Sequence, residues 1–85
     1  MGTYQGDGEI TQLGQHLATA KYWVETDPLS GEIVVDKGEQ YLSSHDRFTL
    51  HMQGGWALDF RITRVSDQVM GKYDIKGIGT LRRPS

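Results

Sequence analysis

The chain has no cysteine, only two prolines among 85 residues, and a formal net charge of just -2. Without cysteine, neither a disulfide framework nor a thiolate metal site can support the fold, and a metal staple would need His and carboxylate ligands. The small net charge gives no strong long-range field, which argues against a partner held by bulk electrostatics, such as nucleic acid or an anionic membrane. No apolar run approaches the roughly 20 residues of a membrane-spanning helix. The start, Met1-Gly2-Thr3-Tyr4, lacks the basic, apolar and small-residue segments of a signal peptide. These absences lead to the expectation of one soluble cytoplasmic domain over residues 1–85, with no membrane partner.

What the chain has in quantity is glycine, eleven residues. Glycine costs about 1 kcal/mol at a helical position, so this composition suits strands and tight turns. A domain this short buries only about 60 to 65% of its unfolded surface, so its core must be compact or completed by a partner.

Side-chain alternation then sets the fold class. Trp56, Leu58, Phe60 and Ile62 alternate with Ala57, Asp59, Arg61 and Thr63, and Phe48, Leu50 and Met52 alternate with Arg47, Thr49 and His51. Period two marks half-buried strands. A three-residue loop at Gln53-Gly54-Gly55 places Leu50 opposite Leu58 and Phe48 opposite Phe60, keeping every apolar side chain on one face. A two-residue loop would set Leu50 against Asp59. Gly55 is therefore expected at positive φ, and Phe60 in the core.

The same test pairs Tyr4, Gly6, Gly8 and Ile10 with Val24, Tyr22, Ala20 and Ala18 around a Leu13-Gly14-Gln15 loop, with Asp7 opposite Lys21 outside. A turn over Asp27-Pro28-Leu29-Ser30-Gly31 sets Val24 opposite Ile33 and Tyr22 opposite Val35. A turn near Ser66-Asp67 sets Ile62 opposite Gly71, Phe60 opposite Tyr73, Leu58 opposite Ile75 and Trp56 opposite Gly77. Asp36-Lys37-Gly38 reads as a turn, Glu39 to Ser44 as a short strand rather than a helical turn, and Arg82-Arg83-Pro84-Ser85 as a frayed tail. The sum is an all-β, mainly antiparallel domain of about six strands, an up-and-down meander that closes into a small barrel when its first and last strands pair. Glycines of Gly6-Asp7-Gly8 and Gly77-Ile78-Gly79 fall on the inner face, as closure requires. A two-layer β-sandwich is the alternative.

Chemistry is sparse. His16, His45 and His51 are spaced as ordinary surface residues; His45 and Asp46 are adjacent, so on a strand they point to opposite faces and cannot orient one another. No zinc-ligand spacing, serine-nucleophile motif or phosphate loop is present, so no catalytic residue, metal or cofactor is assigned. Asp59 and Asp74, with Arg61, Lys72 and Lys76, are expected to form a charge checkerboard on an outer face. Most aromatics point inward and only Arg82-Arg83 is locally basic, which makes a nucleic-acid-binding barrel a lesser alternative. The anomaly is apolar and outward: Trp23 beside Val34, with Leu17, Met70 and Ile78. A Trp beside a Val on a sheet face suggests a surface that something covers. The expectation is a non-enzymatic binding or assembly module, self-associating most simply as a dimer through these five residues, with a small molecule held in the barrel interior as the other alternative.

Overall fold

The computed structural model describes residues 2–38 and 41–83. Six antiparallel strands, β1 (Thr3–Gln12), β2 (Gln15–Thr26), β3 (Leu29–Gly38), β4 (Arg47–His51), β5 (Ala57–Asp67) and β6 (Lys72–Gly77), close into a barrel. Inward positions follow the period-two pattern: Ile10, Val24, Ile33, Leu50, Leu58, Phe60, Tyr73 and Ile75 are buried and fill the interior.

The barrel closes, as the strand count leads one to expect, but not by pairing the first strand with the last. The order around the wall is β1-β2-β3-β6-β5-β4, so two three-stranded meanders meet at seams β3–β6 and β1–β4. This corrects the up-and-down connectivity, and the cause lies between Gly38 and Arg47. Asp36, Lys37 and Gly38 belong to β3 rather than to a turn, and residues 41–46 form no strand. Glu39 and Gln40, part of the strand expected there, lie outside the described residues. An eight-residue link can reach about 26 Å when extended, enough to carry the chain across the barrel end and start β4 on the wall opposite β3. Leu42 is buried on the way, and its backbone N–H donates to the Tyr73 hydroxyl at 3.2 Å.

Two hairpins have the register read from the sequence. Tyr4, Gly6, Gly8 and Ile10 face Val24, Tyr22, Ala20 and Ala18, and Phe48 and Leu50 face Phe60 and Leu58. Gly55 has φ 87° inside a 3-10 turn, Gln53–Gly55, and the Met52 N–H donates to the Trp56 carbonyl at 2.7 Å. A shift between Ile10 and Thr11 lets the first hairpin end in the two-residue turn Leu13-Gly14.

The other two hairpins slip by an even number of residues, which keeps the buried faces and changes the partners. The β2–β3 turn is only Asp27-Pro28, around a cis peptide, so Leu29, Ser30 and Gly31 join the strand and Tyr22 faces Ile33 while Val24 faces Gly31. β5 runs on through register shifts after Ile62 and Val65, the turn moves to Gln68–Gly71, and Phe60 faces Gly77 while Ile62 faces Ile75. The chain end is also tied down as far as Arg82, whose backbone N–H and carbonyl both bond Ala57. Pro84 and Ser85, the rest of the expected frayed tail, lie outside the described residues.

Candidate functional site

The revised registers redraw the outer surface. Three rows now cross β2, β3, β6 and β5: Lys21, Val34, Lys72, Asp67; then Trp23, Glu32, Asp74, Arg64; then Glu25, Ser30, Lys76, Arg61. The last row continues onto β4 at Arg47. Trp23 sits in the middle row with 49% of its surface exposed. A shallow groove of about 610 Å³ runs beside it, lined by Trp23, Glu25, Glu32, Thr63 and Asp74 among others.

Trp23 and Val34 share this face but are not direct neighbours: Glu32 lies opposite Trp23, and Val34 sits half-buried between Lys21 and Lys72. The two-residue register slip is the reason. Met70 is 61% exposed at the β5–β6 turn, near the end of β3, where the Gly71 carbonyl accepts from Val35 N–H. Ile78 is half-buried just beyond β6, donating its N–H to the Asp59 carbonyl. Leu17 packs against the core from the first hairpin. The fold thus gathers Trp23 and Val34 on one face, sets Met70 at its edge, and puts Leu17 and Ile78 elsewhere.

The expected proximity of Asp59 and Asp74 does not occur, because the β5–β6 register moves Asp74 opposite Arg64. Asp59 instead accepts from Arg82 at 2.6 Å and from Thr49 Oγ1 at 2.8 Å. The Arg82 hydrogen bond holds the Asp59 carboxyl below the usual carboxylate range, aided by Thr49 and by the charges of Arg82 and Arg47 and opposed by partial desolvation. The histidines stand apart: His16 Nδ1 is 3.3 Å from Glu9, His51 Nε2 is 2.9 Å from Thr11 Oγ1, and His45 lies in the turn of the link before β4.

A feature that net charge concealed now emerges. Residues 3–38 carry six carboxylates and two cations, net -4, whereas residues 41–83 carry four carboxylates and seven cations, net +3. Each half is one meander of the barrel, so one side of the wall is acidic and the other basic. The rows contain like-charge neighbours directly across strands: Glu32 with Asp74, Arg47 with Arg61, and Arg61 with Lys76. Such pairs destabilise an isolated sheet by tenths of a kcal/mol each. Lys72 relieves one of them, its Nζ lying 3.6 Å from Glu32. Counting charge separately in the two halves of the sequence would have exposed this division.

Among the described residues no helix is long and apolar enough to cross a membrane. Comparison with protein-family models, curated proteins and solved structures finds no match to this chain.

Proposed function

We propose that this chain is a non-enzymatic assembly module that binds through the outer wall around Trp23 on β2 and β3, and that its partner is a second copy of itself. The observation that carries this reading is Trp23, half-exposed in the middle of a sheet wall beside an open groove. Tryptophan in such a place is the residue type most often found at the energetic centre of protein interfaces. The inner face supports an external site over an internal ligand, because large side chains such as Tyr73, Phe60, Ile10 and Leu58 already fill it.

The test is Trp23→Glu against the parent, by sedimentation and circular dichroism. The variant should become monomeric with its β-signal intact, since Trp23 is not part of the core. Loss of the β-signal would instead make Trp23 structural, and an unchanged oligomer would remove it from the interface.

Nucleic-acid binding has one observation in its favour, the adjacent cations Arg47, Arg61 and Lys76. Its signature is retention on DNA or RNA that falls steeply with salt.

A further inference from the structure

Arg47, Arg61 and Lys76 stand directly opposite one another on β4, β5 and β6, strands that follow one another around the barrel wall. All three side chains are exposed, and among the described residues none of them forms an ion pair. The carboxylates of the same strands are engaged elsewhere: Asp59 takes hydrogen bonds from Arg82 and Thr49, and Asp74 lies opposite Arg64 and Glu32. Like charges directly across strands cost the sheet stability, and a bound anion would remove that cost. Beside the row the wall is hollowed by about 280 Å³, a depression lined by Arg61, Thr63, Lys76, Gly77 and Ile78.

We infer that this row is a binding site for an oxyanion chain, a ligand carrying several linked phosphates, held by Arg47, Arg61 and Lys76. Neighbouring strands lie about 4.8 Å apart, so the three cations are spread over about 10 Å and match phosphates in line better than a single one. Each guanidinium fork takes two phosphate oxygens at once, and the lysine adds a point charge. Single-stranded nucleic acid is also a chain of phosphates, but proteins that bind it combine charge with exposed rings on which bases stack. Phe48, Phe60 and Tyr73, the aromatic residues of these three strands, are all buried. The row therefore reads phosphates alone. Trp23 does not line this hollow, which makes the site independent of assembly.

The experiment titrates the isotope-labelled whole chain by NMR with sodium tripolyphosphate, and separately with inorganic phosphate and with an oligothymidylate strand, all at fixed ionic strength. Tripolyphosphate should shift the amides of Arg47, Arg61 and Lys76 and bind about 10-fold more tightly than inorganic phosphate, which reaches fewer of the cations. Arg61→Gln should weaken tripolyphosphate binding by about 10-fold or more, the loss of one charge-assisted contact. Lys37→Gln removes the same unit of charge from an exposed position on β3, and its binding should stay within about twofold of the parent. Circular dichroism confirms that both variants are folded. Absence of saturable binding at millimolar tripolyphosphate overturns the site, and equal weakening by the two variants overturns it by assigning the binding to net charge. Tighter binding of oligothymidylate than of tripolyphosphate, lost in Arg61→Gln, would assign the row to nucleic acid and overturn the phosphate-chain ligand.

Discussion

Replacing Gly31 with alanine separates two registers of the β2–β3 hairpin. In the structure Gly31 lies opposite Val24 on one side and Ile75 on the other, held between two strands. A methyl group on its Cα would press into the Trp23 carbonyl oxygen, with the Val24 Cα 2.8 Å away. Both obstacles are backbone, so no rotamer change relieves them and β3 must move off β2. Overpacking of this kind costs about 1–3 kcal/mol, and each ladder hydrogen bond lost adds about 1 kcal/mol. A loss of about 3–4 kcal/mol is therefore expected, against a total stability on the order of 4–13 kcal/mol for a chain of this length. With a urea slope of about 1 kcal/mol/M, the midpoint should fall by about 3 M. Gly14→Ala is the control: its φ is 80° but the space around it is open, so only the left-handed backbone cost of about 1 kcal/mol applies. In the register read from alternation alone, Gly31 belongs to a five-residue turn and its substitution costs under about 1 kcal/mol. A loss that small would refute the ladder in which Gly31 faces Val24.

Phe60 is fully buried, its ring centroid 5.7 Å from that of Phe48. Phe60→Ala should cost about 3–5 kcal/mol, measured by urea unfolding; a cost under about 1 kcal/mol would mean the ring is not in the core. For Asp59 the folded carboxyl pKa lies below its unfolded value of about 3.9. Its contribution is therefore present above that value and lost as pH falls through the lower folded pKa. Arg82→Ala should destabilise by about 0.5–1 kcal/mol at neutral pH, as suits a partly exposed pair, and by less once Asp59 is protonated. Equal losses at neutral and strongly acid pH would assign the effect to lost packing of the Arg82 side chain rather than to the ion pair.

The faces of the sheet were legible in the sequence, because an apolar residue that slips by two positions still points inward. Partner identity was less legible for the same reason. The Phe48–Phe60 hairpin had its register set by the short Gln53-Gly54-Gly55 loop, whereas Val24 could face either Ile33 or Gly31 without exposing anything apolar. Strand order was hidden in residues 39–46, where the weak apolar signal of Tyr41-Leu42 reads as a short strand and nothing marks a crossing. The candidate site was half legible. Trp23 is outward in any even register, but Glu32 as its neighbour follows from the two-residue slip of the β2–β3 hairpin, and Asp74 beyond it only from the seam between β3 and β6. Arg82 looked like tail residue because nothing local signals its bond to Asp59, 23 positions away.

Light scattering of the unmodified chain across a wide concentration range bears most directly on assembly through the Trp23 face. The chain mass is 9.6 kDa. The expected result is a mass rising with concentration to twice that value. A mass that stays at that of one chain at every concentration and salt level would contradict it.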